Sequence, residues 1–307
     1  MRVIITGGTG LIGTALVRSL AVDGHEVILL SRASGGHPTQ PPGVTIHRWD
    51  AKSAEGWAAL ADGADAIVNL AGANIAGSSL PEILLGRWTP ERKRRILASR
   101  IDAGHAVVQA VERAARKPRV VVQSSGVGYY GLGRESPQPE SAPPGDDFLA
   151  RVCVDWEAST APVESHGMRR VVLRSGVVLA PQGGILPLLL LPFRLFTGGR
   201  LGSGRQWFPW VHLDDQVAAI RYAIENDQAQ GVFNLTAPHQ LRNAEAATII
   251  GQVLRRPVWL PAPAFALRLL LGEKHILVLD GQQAPPDRLV ALGFTFRRPR
   301  LEDALRA

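Results

Sequence analysis

Short, unbroken apolar runs alternate along this chain with longer stretches in which apolar residues recur every three or four positions. The runs include Val3-Ile4-Ile5, Val27-Ile28-Leu29-Leu30, Ala66-Ile67-Val68, Val120-Val121-Val122 and Val171-Val172-Leu173. Runs of β-formers without polar alternation suit strands covered on both faces, as in a parallel sheet. Between them, Leu11, Ala15, Leu16 and Leu20 repeat at helical spacing. A long helix is predicted over 90–115, with Pro90 at its first position and Ile96, Ile101, Val107, Val108 and Val111 marking its buried face. Another helix is expected over 146–163. Strands alternating with helices predict the α/β class and a doubly wound parallel sheet, whose ligand crevice lies at the carboxyl ends of the strands.

From Pro181 the composition shifts toward glycine and proline, through Gly183-Gly184 and Gly198-Gly199-Arg200-Leu201-Gly202-Ser203-Gly204-Arg205. We therefore expect a first domain over 1–180 and a smaller C-terminal α/β substrate lobe over 181–307, with part of 205–240 returning to the first domain. Helices are predicted near 214–225, 243–255 and 264–271.

The glycines after the first run stand as Gly7-x-x-Gly10-x-x-Gly13. The first lets the backbone turn off the strand, the second clears space for a pyrophosphate, and the third lets helix pack on strand. A dinucleotide site is predicted there. The second strand ends in Ser31-Arg32 where an NAD site would place an acidic residue; arginine suits a 2′-phosphate, which the serine can also contact, so NADP is the expected cofactor. The Pro- and Gly-rich stretch 35–43 is a predicted loop, followed by a short strand at 44–47. That strand delivers Asp50, either to an adenine amino group or as the cap of a helix beginning near Ser53. Ala71 and Gly72, after the strand at 66–70, are small enough for a cofactor ribose to lie over them. Arg95, Ser99 and Arg100 are candidates to reach the cofactor side, Arg100 alternatively pairing with Asp102 or Glu91.

Composition narrows the possibilities. A chain of 307 residues, 46% hydrophobic, can bury a large core. The longest apolar run, Ile185 to Phe196, is broken by Pro187, Pro192 and Arg194 and is shorter than the roughly 20 residues of a membrane helix. No membrane is expected among its partners, and a chain opening directly on a strand reads as cytoplasmic. A single cysteine, Cys153, leaves neither an internal disulfide nor a cysteine-cluster metal site; no metal is expected. The net charge of +7 comes mostly from dispersed arginines, densest at Arg92-Lys93-Arg94-Arg95 and Arg297-Arg298. Without interleaved aromatics, this reads as solvated faces plus a site for a phosphorylated ligand, not as a nucleic-acid surface.

Taken together, these motifs resemble an extended-type, Rossmann-fold short-chain dehydrogenase/reductase of the NAD(P)-dependent epimerase/dehydratase superfamily. The segments that carry the resemblance are Thr6 to Gly13, Asn69-Leu70-Ala71-Gly72, Ser125 to Gly131, and Arg205-Gln206-Trp207 through Val211-His212-Leu213-Asp214-Asp215. Arg87-Trp88-Thr89, Asp147-Phe148-Leu149, Trp156-Glu157 and Leu173 to Leu179 are similar to an atypical epimerase-like family, also labelled nucleoside-diphosphate-sugar epimerase. Its members carry a C-terminal domain of unknown function, which 255–307 resembles through Leu271-Gly272-Glu273 and Leu289 to Phe294. The resemblance implies cofactor contacts from Gly7, Thr9, Gly10, Leu11, Ile12, Gly13, Ser31, Arg32, Leu70, Ala71, Gly72, Arg100 and Val178. It also implies substrate binding by Arg205 on a nucleotide diphosphate. It allows a homodimer.

One departure bears on function. The superfamily sets Tyr-x-x-x-Lys on the helix after the serine strand, so that a lysine-activated phenol trades a proton with substrate during hydride transfer. Counting back from Glu157, Leu149 fills the tyrosine slot and Cys153 the lysine slot. Ser125 keeps the position of the substrate-binding serine, although serine at a strand end also caps helices; Tyr129 or Tyr130 could replace the missing acid. His212 reads as a structural histidine bonded to backbone. Two functions remain: an NADP-dependent oxidoreductase or epimerase-like enzyme acting on a nucleotide-sugar or similar phosphorylated or hydroxylated small molecule, and a catalytically weak or inactive NADP-binding sensor or regulatory protein.

Overall fold

In the computed structural model, which describes residues 1–32, 41–77 and 79–307, the first apolar run forms β1 (Arg2–Thr6) and the glycines lead straight into α1 (Leu11–Val22). Most of the loop predicted over 35–43 lies outside the described residues. The chain continues through β2 (Glu26–Ser31), β3 (Val44–Arg48), β4 (Ala66–Asn69), α2 (Leu80–Leu84), α3 (Pro90–Arg113), β5 (Val120–Gly126), α4 (Phe148–Ser159) and β6 (Arg169–Ser175). A proline at N1 and the Thr89 side chain, accepting from the Arg92 N–H, start α3, while the Asp147 carboxylate caps α4 by accepting from Leu149 and Ala150.

Seven strands, the six above and β10 (Gly231–Leu235), make one sheet in the order β10-β6-β5-β4-β1-β2-β3, every pair parallel. This is the doubly wound α/β arrangement, with the order reversing beside β1 so that a crevice opens at the β1 and β4 carboxyl ends. One layer packs Leu16, Leu20, Val217, Ile220 and Ile224 under the sheet; the other packs Trp57, Ala103, Val107 and Val111 on its opposite face. Both sheet faces are thereby covered, which is why the strands read as continuous apolar runs.

After β6 the chain turns into β7 (Val177–Ala180), β8 (Gly183–Gly184), α5 (Leu186–Arg194), β9 (Trp210–His212), α6 (Leu213–Glu225) and β10 (Gly231–Leu235), the last pairing with β6 in the main sheet. β8, β7 and β9 form a separate three-stranded sheet. The remainder is helical: α7 (Asn243–Leu254), α8 (Ala264–Leu271), α9 (Ile276–Leu279), α10 (Asp287–Ala291) and α11 (Leu301–Leu305). The apolar run at 185–196 becomes the short α5, with Pro192 inside it, and among the described residues no helix is long and apolar enough to cross a membrane.

Candidate active site

The turn after β1 forms the floor of the crevice. Gly7 has φ +68°, and a Cβ there would stand 2.7 Å from the Leu70 carbonyl oxygen, so this corner demands glycine. At Gly13 a Cβ would come within 2.6 Å of the Gly7 carbonyl oxygen, which sets how closely α1 packs on the turn. Gly10 differs: a Cβ would meet only the Gly7 oxygen, at 3.4 Å, and its open side faces the cleft. No side chain caps α1, leaving N–H groups of its first turn for an anion.

Around this turn lies a cleft of about 810 Å³ lined by Gly7, Thr9, Gly10, Ser31, Arg32, Leu70, Ala71 and Gly72 among the expected residues. Behind it, the Thr6 hydroxyl donates to Asn69 Oδ1 at 2.7 Å and accepts from the Leu70 and Ala71 N–H groups at 3.2 Å, while Asn69 donates to Gln123 Oε1 at 2.9 Å. This buried chain of hydrogen bonds ties the ends of β1, β4 and β5 together, so the cleft floor is preformed. Ser31 is buried and Arg32 exposed at the end of β2, on the cleft wall.

Leu11, Ile12, Gly13 and Val178 support the cleft from outside its lining. The Leu11 side chain packs where a Cβ on Gly183 or Gly184 would stand, linking α1 to the small sheet, and Val178 pairs with Val211. Asp50 lines the cleft, but the helix predicted from Ser53 does not form. Its carboxylate instead accepts from the N–H groups of Lys52 and Ser53 and from the Ser53 hydroxyl. Burial works against ionisation there, and these hydrogen bonds outweigh it to hold the carboxyl below its ordinary range.

Arg100 needs correction as a cleft residue. Arg95 and Ser99 do line the cleft, whereas Arg100 is 6% exposed behind it, donating from Nη1 to the Ile96 and Ala73 carbonyls at 2.9 and 3.1 Å and stacking 4.8 Å from the Trp156 ring. It pairs with neither Asp102 nor Glu91, and burial lowers its pKa to about 10. Helical periodicity contains the signal: Arg95 and Ser99 stand four apart on one face, while Arg100 falls in register with Ile96, Ala103 and Val107 on the buried one. Lys52, Asn74 and Arg92 also line the cleft. Arg92 stands one turn before Arg95 on the same α3 face, so the same periodicity marks it, whereas loop geometry brings Lys52 and Asn74 there.

Deeper along β5, Ser125 donates its hydroxyl proton to Glu157 Oε1 at 2.6 Å. Both Glu157 oxygens accept from Arg174, from Nε at 2.8 Å and Nη2 at 2.9 Å, and the guanidinium lies 3.3 Å over the Tyr129 ring. Burial opposes the Arg174 charge, but the hydrogen bonds and charge of Glu157 more than compensate and raise its pKa. Cys153, on the helix below, is buried; desolvation, reinforced by the Glu157 charge, pushes its thiol up to about 11, so it stays protonated and poorly nucleophilic. Leu149 packs in an apolar cluster with Trp88, Ile96 and Val152.

Tyr130 is withdrawn as a replacement acid. Its ring has no exposure, its hydroxyl donates to Asn234 Oδ1 at 2.6 Å and accepts from Arg174 at 3.1 Å, and burial raises its pKa. It is a core tyrosine with its polar end satisfied. Arg205 sits exposed on the turn after Gly204, its N–H donating to the Ser203 hydroxyl at 3.2 Å, and is not part of the cleft lining. His212 caps α6, its Nδ1 accepting from the Asp214 N–H at 3.2 Å.

The C-terminal segment packs against the loops on the far side. Lys274, 2% exposed, donates to the carbonyls of Ala76, Glu82 and Ile83 at 3.3, 2.9 and 2.6 Å, Gln282 donates to Gly131 at 2.6 Å, and Gln283 accepts from the Gln138 N–H at 2.7 Å. Sequence reasoning missed these contacts, which join residues about 150–200 apart.

Comparison with known proteins agrees with this architecture. The profile of the NAD dependent epimerase/dehydratase family matches residues 3–236, and that of a domain of unknown function, DUF1731, matches 262–307. The chain belongs to the NAD dependent epimerase/dehydratase family. Within it, the chain is 41% identical over 314 residues to the Arabidopsis thaliana epimerase family protein SDR39U1 homolog, chloroplastic, covering all of this chain and 86% of that protein. A crystal structure of the human epimerase family protein SDR39U1 (isoform 2) with NADPH superposes with a TM-score of 0.87 at 37% identity, covering 100% of this chain and 98% of that one. A nucleoside-diphosphate sugar epimerase structure from Corynebacterium glutamicum matches with a TM-score of 0.74 at 32% identity, covering 99% of this chain but 57% of that one. The epimerase family fold thus spans the whole chain, as the motifs implied.

Proposed function

We propose that this family member binds NADPH in the cleft and acts as a sensor or regulatory protein, with little or no turnover through the proton relay used by related dehydrogenases. The carrying observation is the arrangement beside β5. Leu149 and Cys153 fill the Tyr and Lys slots, the Cys153 thiol is buried and held protonated, and the Ser125 proton is committed to Glu157. The residues fit the cofactor. Gly10 leaves space beside the uncapped α1, Ser31 and Arg32 line the cleft at the end of β2, which supports a 2′-phosphate contact, and the cleft volume lies within the usual ligand-site range. Bound NADPH would supply a hydride, while the Ser125 and Tyr130 hydroxyl protons beside β5 are already donated to Glu157 and Asn234.

A second reading, an oxidoreductase or epimerase-like enzyme acting on a nucleotide-sugar, is favoured by Ser125 at the substrate-serine position and by the 32% identical Corynebacterium epimerase. Arg205 would then hold the diphosphate. Calorimetry with the two cofactors, paired with a screen of NADPH oxidation against carbonyl and nucleotide-sugar libraries, separates the readings. We expect NADPH to bind at least about tenfold more tightly than NADH, with Arg32→Asp abolishing the difference, and no compound to drive turnover. Equal affinities would remove the 2′-phosphate role; turnover of any library member would replace the sensor reading with the enzymatic one.

A further inference from the structure

Away from the cleft, the second lobe carries an apolar surface that the core does not explain. All seven residues from Arg255 to Pro261 are exposed, including Val258, Trp259 and Leu260, and α8 (AFALRLLL) has no buried residue although all but one of its side chains are apolar. Phe265 and Leu269, one turn apart on the same face, are 73% and 76% exposed, and Trp259 is 65% exposed. Backbone contacts join this strip to the end of α5: Trp259 Nε1 donates to the Phe196 carbonyl at 2.8 Å, the Trp259 N–H to Gly198 at 3.1 Å, and the Ala262 N–H to Arg200 at 3.0 Å. Leu195 and Phe196, themselves 62% and 53% exposed, extend the same surface.

The charge around it has one sign. Segments 186–200 and 255–271 contain Arg194, Arg200, Arg255, Arg256 and Arg268 and no aspartate or glutamate. All five are exposed, and among the described residues none lies in an ion pair; Arg256 instead stacks 4.3 Å from the Phe196 ring. Beyond these segments, the Asp280 carboxyl senses Arg268. An exposed strip of Trp, Phe and Leu bordered by unpaired arginines matches what an anionic bilayer offers, headgroup charge over an apolar interior. A second copy would bring five arginines against five, without compensating carboxylates.

We propose that this surface docks the protein on the face of an anionic lipid bilayer, with Trp259, Phe265 and Leu269 entering the interface and the arginines meeting lipid phosphates. The eight residues of α8 span about 12 Å, far less than the ~30 Å hydrocarbon core, so the helix would lie in the interface. This replaces the sequence expectation that no membrane is a partner, since that expectation tested only for spanning segments.

The test is co-sedimentation of the full chain with phosphatidylcholine vesicles and with phosphatidylcholine vesicles containing phosphatidylglycerol. Binding should need the anionic lipid and fall as salt rises. Phe265→Ser/Leu269→Ser and, separately, Arg255→Gln/Arg256→Gln should each weaken it by about tenfold or more. Neither should change NADPH affinity, because these positions lie outside the cleft. Vesicle addition should blue-shift the emission contributed by Trp259, a change lost in Trp259→Phe. Equal binding to both vesicle types, unchanged binding by the Phe265/Leu269 variant, or no binding at all would overturn the proposal. So would a dimer in sedimentation velocity that the same variant dissociates, which would assign the surface to a second copy.

Discussion

Gly10 and Gly13 of the β1 turn should separate binding from folding when each is changed. At Gly10 the backbone is extended, φ −79° and ψ 177°, a conformation open to any residue, and a Cβ would make only an ordinary contact with the Gly7 oxygen at 3.4 Å. Gly10→Val therefore costs about 1 kcal/mol, chiefly the loss of a favourable N-cap residue, while its two methyls project into the space left for the pyrophosphate. At Gly13 the added carbon meets backbone on two sides, 2.6 Å from the Gly7 oxygen and 2.7 Å from the Gly8 carbonyl carbon. Overpacking of that kind costs about 1–3 kcal/mol, and here the upper end applies because backbone must move; the gain in helix propensity returns at most about 1 kcal/mol. Gly13→Ala should thus lose about 2 kcal/mol. The assay is chemical unfolding with and without NADPH. Parent protein at ~100 times its Kd should gain about 2.7 kcal/mol from the ligand, and Gly10→Val should gain nothing measurable. A folded Gly10→Val protein whose unfolding still shifts with NADPH would refute the reading of this turn as the pyrophosphate site; a Gly10→Val protein less stable than Gly13→Ala would refute the packing argument.

Two further predictions concern the polar groups around the site. Glu157→Ala leaves the Arg174 side chain, 4% exposed, as an unpaired buried charge and should cost about 3–5 kcal/mol in urea unfolding. Combining Glu157→Leu with Arg174→Leu should cost less than the two single changes summed, and strict additivity would argue against a coupled pair. His212, held neutral mainly by burial, has a folded pKa below its unfolded value near 6.5, so its contribution to stability is complete above about pH 6.5 and is lost as pH falls toward the folded value. His212→Asn keeps a capping side chain without the titration; its stability relative to the parent should improve between about pH 7.5 and 5.5, and a parallel pH dependence would exclude His212 as the source.

The sequence by itself determined the framework, because its signals are local. Apolar runs of three or four residues rich in β-branched side chains suit strands paired on both sides, and the stretches of helical periodicity between them suit the covering layers, so the strands, their parallel sense and the turn at Gly7, Gly10 and Gly13 were legible from the pattern. The same locality placed α8 at 264–271. Strict periodicity would also have separated cleft-facing Arg95 and Ser99 from buried Arg100. Tertiary structure alone decided the fate of the candidate catalytic groups, since each is settled by a partner distant in the chain: Glu157 takes the Ser125 proton from 32 residues away, and Asn234 receives the Tyr130 hydroxyl from 104 residues away. It likewise decided that Lys274 is buried and the α8 side chains are not. Residue type sets what burial is worth, about 2 kcal/mol gained for an apolar side chain and a larger loss, about 3–5 kcal/mol, for a charge left unpaired, but only the folded neighbours determine which groups are buried and what meets them there.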